Sequence, residues 1–262
     1  MNEYGKIVEK IAAACEEIGE QVRTRVASQV SDKEGHANFV TDMDVRVQEQ
    51  LVAAMLEILP DARIIAEESE MNGAAGEGYC FVIDPIDGTL NFMCGLNHSA
   101  ISVGLLKDGE IVGGVVRDPF KQETFRAVKG EGAYKNDERI HVSTRDVAHS
   151  IALFGTAPYY EDLCDQSFAA ARTLMRPFAD VRRMGSAALD LCYVACGRCD
   201  GYFELILQPW DFAAGTIIVR EAGGIVEAIA PETLTFDRPM GILGAAPHAF
   251  DPMLQAIKGA KA

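Results

Sequence analysis

The amino-acid sequence predicts an α/β (α+β layered) fold, an αβαβ sandwich in which layers of helices and sheets alternate. Three observations predict it: a helical repeat of apolar residues near the N-terminus, a series of strand-like segments in the middle, and helices alternating with strands towards the C-terminus. The chain has 262 residues, of which 48% are hydrophobic, enough for a substantial core. We expect residues 1–148 and 149–262 to form two halves of one compact unit.

The N-terminal half is predicted to place two helices against one face of an antiparallel sheet. From Tyr4 to about Val30, apolar residues recur every three or four positions, the period of an amphipathic helix. A second helix with the same period ends near Ile58, just before Pro60. Strand-like segments separated by turn signals follow at residues 62–66, 81–83, 99–106, 110–116, 123–128, 130–134 and 139–142.

The C-terminal half begins after charged and small polar residues at positions 144–149, which mark a boundary. Strands are predicted at residues 150–155 and 201–205, around 225 and at 240–244, and helices at 160–175, 187–196 and 210–222. This alternation of helices and strands indicates α/β layering.

Composition excludes several functional classes. The formal net charge of −15 argues against nucleic-acid binding, which depends on Lys and Arg neutralising phosphates. No apolar run approaches the roughly 20 residues that span a bilayer, and the N-terminus lacks a basic region followed by a hydrophobic stretch. We therefore expect a cytoplasmic protein that does not bind membranes.

The cysteines are predicted to be reduced thiols, because there are seven of them and no signal peptide is recognised. Cys192, Cys196 and Cys199 have a spacing that some radical enzymes use to hold an iron–sulfur cluster. Their segment has helical character, however, and small apolar residues belong at these positions. Core packing is therefore the favoured interpretation.

The stretch from residue 81 to residue 92 carries the clearest functional signal. Three apolar residues lead into Asp84, Asp87, Gly88 and Thr89, which predicts a buried strand ending in a tight turn that could open a helix. The two carboxylates can converge, and they would repel each other unless a cation such as Mg²⁺ lay between them. The amides of Gly88 and Thr89 could then bind an anion. The flanking apolar residues disfavour an ordinary surface turn. The pattern therefore indicates a phosphate site with Mg²⁺.

Three motifs support a resemblance to a known family. Asp84-Pro85-Ile86-Asp87-Gly88-Thr89-Leu90-Asn91-Phe92 resembles the first signature of the inositol monophosphatase family of Mg²⁺-dependent sugar phosphatases. Trp210-Asp211-Phe212-Ala213-Ala214-Gly215 resembles the second signature, and Ala66-Glu67-Glu68-Ser69 resembles the family's Gly-Glu-Glu-Ser. The resemblance extends over essentially the whole chain. It implies a sandwich of the inositol monophosphatase and fructose-1,6-bisphosphatase type, Li⁺ sensitivity and a homodimer.

The resemblance also implies two Mg²⁺ ions and assigns their ligands. One ion would lower the pKa of the attacking water and the other would stabilise the leaving oxygen. Glu67, Asp84 and the backbone carbonyl of Ile86 would bind the first ion, and Asp84, Asp87 and Asp211 would bind the second. A third, weaker ion near Glu67 is left open.

Further roles follow from the same resemblance. The Thr89 hydroxyl would orient the attacking water while Asp44 accepts its proton, although both residues also suit helix caps. Glu204 matches the family's polyol-binding glutamate. The other substrate contacts would be Asp87, Gly88, Thr89, Gly185, Ser186, Ala187 and Asp211. Arg182 or Arg183 could order the segment at 185–187 or face outward, and Lys33 falls where the family tends to carry a lysine near the mouth of the site.

The predicted function is Mg²⁺-dependent hydrolysis of inositol 1-phosphate and related small sugar or polyol phosphates by direct attack of water. Fructose 1,6-bisphosphate and 3′-phosphoadenosine 5′-phosphate are alternative substrates. No aromatic residue stands between Cys94 and His98 to stack on a nucleotide base, and this loop departs from the family's usual sequence. An alternative of another class is a regulatory protein that contacts the transcription machinery. The intact acidic residues argue against loss of catalysis.

Overall fold

The computed structural model describes residues 2–24, 30–32, 39–69, 76–158 and 160–260. The α-helices of this part of the chain are α1 (Glu3–Thr24), α2 (Asp42–Ile58), α3 (Thr89–Met93), α4 (Glu161–Leu174), α5 (Ala187–Ala195), α6 (Pro209–Glu221) and α7 (Pro247–Gly259). The strands are β1 (Val30–Asp32), β2 (Phe39–Thr41), β3 (Arg63–Ala66), β4 (Tyr79–Asp87), β5 (Ala100–Lys107), β6 (Glu110–Asp118), β7 (Glu123–Val128), β8 (Gly132–Lys135), β9 (Glu138–Ile140), β10 (Ile151–Phe154), β11 (Asp180–Arg182), β12 (Gly201–Leu207), β13 (Ile225–Ala228) and β14 (Met240–Ala245).

The strands form two large sheets and one small pair. The first sheet has seven strands in the order β3-β4-β5-β6-β7-β8-β9, antiparallel except that β3 and β4 are parallel. The second has five strands in the order β11-β10-β12-β14-β13, with β10 parallel to both β11 and β12. Strands β1 and β2 pair separately. The predicted meander is present, and the parallel pair places the ends of β3 and β4 at one edge.

Alternating side chains of β4 show how the seven-stranded sheet is covered. Phe81 and Ile83 pack in one apolar cluster with residues of α1 and α2. Cys80 and Val82 pack in the opposite cluster with residues of α5 and α6. Because successive side chains of a strand point to opposite faces, a wholly apolar strand fits a sheet that is buried on both sides.

The layers follow from these clusters. Helices α1 and α2 cover the seven-stranded sheet, and α5 and α6 lie between the two sheets. The αβαβ sandwich predicted from the sequence is confirmed. Helices α4 and α7 pack on the outer face of the five-stranded sheet and add a further layer. The division at residues 148 and 149 stays a prediction, and it falls between β9 and β10.

Two helices differ from the sequence prediction. Helix α1 is described from Glu3 to Thr24, and Val30, where the sequence predicts the helix to end, belongs to β1. The Thr24 hydroxyl donates to the Glu20 carbonyl at 2.8 Å, which satisfies one acceptor of the last turn. Helix α7, which was not predicted, starts with Pro247, a residue suited to the first helical position.

The described residues include no helix that is both long enough and apolar enough to cross a membrane. The cysteines are free, with Cys192 and Cys199 buried and Cys196 partly buried. Burial raises the pKa of Cys199 to about 12 and that of Cys192 well above its usual range. The burial of Cys192 and Cys199 agrees with the predicted packing role.

Candidate active site

The site is built around a β-bulge in β4. The sequence predicts a turn at Asp84, but the strand continues to Asp87. Its pairing with β5 shifts between Asp84 opposite Ser102 and Asp87 opposite Ala100, so β4 accommodates one extra residue. The Ile86 amide donates to the Asp84 carboxylate at 3.0 Å and stabilises this local geometry. The predicted turn therefore starts later, at Gly88, because a bulge with an internal hydrogen bond lets the strand continue through Pro85 to Asp87.

Gly88 connects the bulged strand to α3. Its φ of 86° lies in the left-handed region that favours glycine. A Cβ atom there would lie 3.0 Å from the Gly185 carbonyl oxygen and 3.1 Å from the His98 carbonyl oxygen. Close approach of the backbone therefore requires glycine at this position. Gly88 and Thr89 both line the cavity, which is the location that anion binding by their amides would require.

Three aspartates meet at this edge of the sheet. Asp84, Asp87 and Asp211 each offer a carboxylate oxygen within 4.8 Å of the others. Burial raises the pKa of Asp87 to about 6. Burial, followed by repulsion from neighbouring carboxylates, raises the pKa values of Asp84 and Asp211 well above their usual range. The fold thus concentrates acids that repel one another unless protons or cations neutralise them.

The chemistry of this donor set fits a hard divalent cation. Carboxylate and carbonyl oxygens are the ligands that Mg²⁺ prefers. Among the described residues that line the cavity, Arg183 is the only one with a basic side chain. The described protein groups around the cavity therefore provide little compensating positive charge, and a bound cation would supply it.

Each of the three aspartates is oriented by a backbone amide. Besides the Asp84 contact, an oxygen of Asp87 accepts from the Ala188 amide at 2.8 Å and from the Ser186 hydroxyl. An oxygen of Asp211 accepts from the Gln208 amide at 2.7 Å, at the start of α6. These bonds orient the carboxylates, although the chain segments that carry them are distant in sequence.

Glu67 reaches the same cavity from the end of β3. Its amide donates to the Ile83 carbonyl at 3.2 Å, and its charge contributes to the raised pKa of Asp84. Its carboxylate lies outside the group of three described acids defined by the 4.8 Å limit. Next to it, the Glu68 amide donates to the Gln48 side chain at 2.8 Å, which orders this turn against α2.

Thr89 and Asp44 are in contact, as the predicted roles require. The Thr89 hydroxyl lies 3.2 Å from an Asp44 oxygen and 3.2 Å from the Ile86 carbonyl oxygen, so its single proton has two acceptors. The other Asp44 oxygen accepts from the Thr41 amide at 2.8 Å and from the Thr41 hydroxyl, which caps α2. Burial raises the pKa of Asp44.

The remaining predicted contacts surround a cavity of about 260 Å³. Its lining includes all the residues that the resemblance assigns to metal or substrate binding, which are Glu67, Asp84, Ile86, Asp87, Gly88, Thr89, Gly185, Ser186, Ala187, Glu204 and Asp211. Asp44 contacts the cavity through Thr89. Arg183 lines the cavity, whereas Arg182 forms an ion pair with Asp180 at 2.5 Å. Lys33 lies outside the described residues.

Asn91 is a structural member of the site that sequence reasoning missed. Its side-chain nitrogen lies 2.8 Å from the His98 carbonyl, 2.9 Å from the Met184 carbonyl and 3.2 Å from the Gly185 carbonyl. It therefore joins α3 to the segment that precedes α5. A buried amide between two apolar residues of the first signature was the available signal.

A buried pair of His98 and Asp190 was also missed. The His98 Nε2 atom lies 3.7 Å from the Asp190 Oδ1 atom, and both residues are buried. Burial raises the pKa of Asp190 to about 6, and Asp190 lines the cavity. An aspartate among the apolar residues of α5 was the signal that could have identified it.

Comparisons with known proteins bear on the fold and the family of the chain. The model of the inositol monophosphatase family matches residues 3–260. A Nus factor SuhB from Pasteurella multocida (strain Pm70) is 45% identical over 190 residues, which are 72% of this chain and 71% of that protein. The structure of extragenic suppressor protein SuhB from Bartonella henselae has a TM-score of 0.89 and 32% identity, covering 97% of this chain and 98% of that chain.

A second solved structure extends the comparison. The inositol monophosphatase from Anabaena (Nostoc) sp. PCC 7120 has a TM-score of 0.85 and 30% identity, covering 98% of this chain and 97% of that chain. Sequence and fold therefore agree over nearly the full length, and both the resemblance and the fold class predicted from the motifs are confirmed. The chain belongs to the inositol monophosphatase family.

Proposed function

We propose that this protein is a Mg²⁺-dependent phosphomonoesterase that hydrolyses inositol 1-phosphate and related small polyol phosphates by direct attack of water. The observation that carries the proposal is the meeting of Asp84, Asp87 and Asp211 within 4.8 Å, beside Gly88 and Thr89. Family membership and the similarity to an inositol monophosphatase structure support the same reaction class.

The cation-binding residues would be Glu67, Asp84, Asp87, Asp211 and the carbonyl of Ile86, a set sufficient for two ions or for three. When bound, such ions lower the pKa of water and neutralise charge on a phosphate. The chain's own contribution is to hold these oxygens in place through the bonds that Ile86, Ala188 and Gln208 donate. Carboxylates that the protein orients in this way need little reorganisation during the reaction.

The remaining roles belong to hydrogen-bonding groups at the cavity. The Thr89 hydroxyl would orient the attacking water and pass its own proton towards Asp44, which already accepts from it. The amides of Gly88 and Thr89 would bind phosphate oxygens. Glu204 and the segment 185–187, with Asp87 and Asp211, would contact substrate hydroxyls.

The direct test is phosphate release from inositol, fructose, glycerol and adenosine phosphates while Mg²⁺ is titrated. We expect the highest kcat/KM for inositol 1-phosphate, no release in EDTA, recovery on adding Mg²⁺, and inhibition by Li⁺. An unchanged rate in EDTA would falsify the metal requirement. A clear preference for fructose 1,6-bisphosphate or 3′-phosphoadenosine 5′-phosphate would instead assign a different substrate within the same reaction class.

A second candidate function is regulatory contact with the transcription machinery. The name of the Pasteurella relative, Nus factor SuhB, favours this role in addition to catalysis. A pull-down with the tagged protein, followed by identification of bound polypeptides, tests it. Enrichment of transcription proteins by wild-type protein and by an inactive Asp84→Asn variant would separate this role from phosphate release. The expected homodimer can be measured by sedimentation in the same preparations.

A further inference from the structure

The carboxylate of Glu204 is held in a fixed position by the protein. One of its oxygens accepts from the Ala157 amide at 2.9 Å, and the other accepts from the Tyr202 hydroxyl at 2.7 Å. Tyr202 is buried, and all three residues line the cavity. Donors on both oxygens restrict rotation of the carboxylate, while each oxygen retains a lone pair for a further partner.

Gly155 provides the space that this carboxylate occupies. A Cβ atom at Gly155 would lie 2.0 Å from a Glu204 oxygen, closer than atoms can approach. The Gly155 amide donates to the Phe203 carbonyl at 2.8 Å, which extends the parallel pairing of β10 with β12 beyond Phe154. The glycine is therefore explained by close approach to the carboxylate, and its backbone conformation alone would not require it.

The Ala157 amide is directed at Glu204 by an unusual backbone conformation. Ala157 has a φ of 43°, in the left-handed region that residues with a Cβ atom rarely adopt. The Ala157 carbonyl accepts from the Tyr160 amide at 3.0 Å, so both of its backbone polar groups are used. The two hydrogen bonds that hold the Glu204 carboxylate therefore come from the Ala157 amide in the β10–α4 connection and from the Tyr202 hydroxyl in β12.

We infer that Tyr202 and Gly155 are positioning residues that determine recognition of the substrate's polyol part. This inference rests on the proposed function, because it concerns the hydroxyl groups of the same substrate. A carboxylate fixed by Tyr202 and Ala157 can accept hydrogen bonds from substrate hydroxyls without losing further side-chain freedom. A phosphate ester with no other hydroxyl groups would gain nothing from this arrangement, so the effect should appear in substrate discrimination.

The first test is Tyr202→Phe, which removes the hydroxyl and keeps the ring. The measured quantity is the ratio of kcat/KM for inositol 1-phosphate to kcat/KM for phenyl phosphate at saturating Mg²⁺. We expect this ratio to fall about tenfold, mainly through KM, because a hydrogen bond to a charged group is lost. Tyr79→Phe is the matched control, since the Tyr79 hydroxyl also bonds a glutamate, Glu3, at 3.1 Å but far from the cavity.

The second test displaces the carboxylate with Gly155→Ala. It should lower the same ratio, whereas Gly259→Ala should not, because nothing lies within 4 Å of a Cβ atom at Gly259. In a Glu204→Gln background, Tyr202→Phe should have almost no further effect on the ratio, since coupled residues are non-additive.

Two results with the variants would overturn the inference. One is an equal loss of activity towards both esters in Tyr202→Phe and Gly155→Ala, which would indicate general structural damage. The other is additive effects of Tyr202→Phe and Glu204→Gln. If the wild-type protein hydrolyses neither ester, the proposed function itself is wrong. If it hydrolyses both without preferring the polyol ester, only the substrate assignment is wrong. Either wild-type result would also end this inference, and both can be distinguished from a failure of the variants.

Discussion

At the scale of single residues, the buried carboxylate of Asp84 has a structural role and a proposed functional role. It accepts the Ile86 amide that stabilises the β4 bulge, and it lies among acids that raise its pKa. A residue chosen for stability alone would not carry this charge, because an unpaired buried carboxylate destabilises the fold. Its presence is explained if a cation stabilises the native state.

Asp84→Asn tests this reading. We expect turnover to fall on the order of 10³-fold, the effect of losing several kcal/mol of charge stabilisation. The metal-free variant should be more stable than metal-free wild type, because a repelling buried charge is gone. Phosphate release and thermal unfolding in EDTA measure the two effects. Asp118→Asn, which alters a buried carboxylate outside the cavity lining, should keep activity, and a destabilised Asp84→Asn variant would contradict the explanation.

Asp44→Asn tests the proton acceptor of Thr89. An amide is far less basic than a carboxylate, so it cannot take up the threonine proton. We expect kcat to fall about 100-fold or more with little change in KM. Asp44 also caps α2, and its loss there should cost about 1 kcal/mol of unfolding free energy. Unfolding of Asp44→Asn and of Thr41→Ala, which damages the same cap, would separate the two roles. Full activity in Asp44→Asn would exclude the relay.

Individual residues of the site were predictable only where a sequence motif contains them. The acids of the two signatures stand out because apolar residues flank them, and that flanking distinguishes a site from a surface turn. Tyr202 gave no such signal, because a tyrosine in an apolar strand is most simply interpreted as a residue of the hydrophobic core. Its hydroxyl becomes informative only when the strand geometry places it 2.7 Å from Glu204.

At the scale of secondary-structure elements, the position of Asp211 depends on close packing of α6 against β5 and β6. A Cβ atom at Gly104 would lie 2.9 Å from the Ala213 side chain. A Cβ atom at Gly114 would lie 2.9 Å from both the Cα atom and the carbonyl oxygen of Ala214. Glycines on the strands and alanines on the helix therefore let the two backbones approach, and this brings the start of α6 to the end of β4.

Gly114→Ala tests this dependence. The added methyl group meets helix backbone, which cannot rotate away, so α6 must shift. We expect a loss of about 1–3 kcal/mol in unfolding free energy and weaker Mg²⁺ binding, because Asp211 moves with the helix. Denaturant unfolding and Mg²⁺ titration of stability are the measurements. Gly259→Ala is the control with open space around the new methyl group. Unchanged Mg²⁺ affinity with reduced stability would show that the metal site tolerates movement of α6.

Most elements were predictable because local periodicity and turn residues agree with the fold. The β4 bulge was not, since Pro85 usually ends a strand and only the pairing with β5 reveals that the strand continues. The contact between α6 and the glycines of β5 and β6 joins segments far apart in sequence, so no local pattern encodes it.

At the scale of the whole molecule, a formal charge of −15 opposes the approach of a phosphorylated substrate. The described part of the chain places several of the acids together in one cavity. Local reversal of charge by divalent cations would resolve this conflict, and the same cations would stabilise the fold. Composition alone indicated the conflict, but the burial of the acids was needed to predict how stability depends on pH.

The last prediction concerns metal-free protein as pH rises. The folded-state pKa of Asp87 is raised to about 6, whereas the ordinary value in an unfolded chain is about 3.9. A raised carboxylate pKa contributes stability that is complete below about pH 4 and is lost as pH rises through about 6. Asp84 and Asp211 are shifted in the same direction. In EDTA, the melting temperature of wild type should therefore fall between pH 5 and pH 7 relative to Asp87→Asn.

Mg²⁺ should reverse this trend, because deprotonated carboxylates bind cations more tightly. At a concentration of 100 times Kd, one bound ion adds about 2.7 kcal/mol to the unfolding free energy. Thermal unfolding at pH 5.5 and pH 7.5, with EDTA or with Mg²⁺, measures both effects, and the stabilisation by Mg²⁺ should be larger at the higher pH. Equal stabilisation at both pH values, or the same increment in Asp87→Asn, would mean that the ions bind elsewhere. If stabilisation by Mg²⁺ is larger at the higher pH, the carboxylates that destabilise the metal-free protein are the groups that couple metal binding to folding.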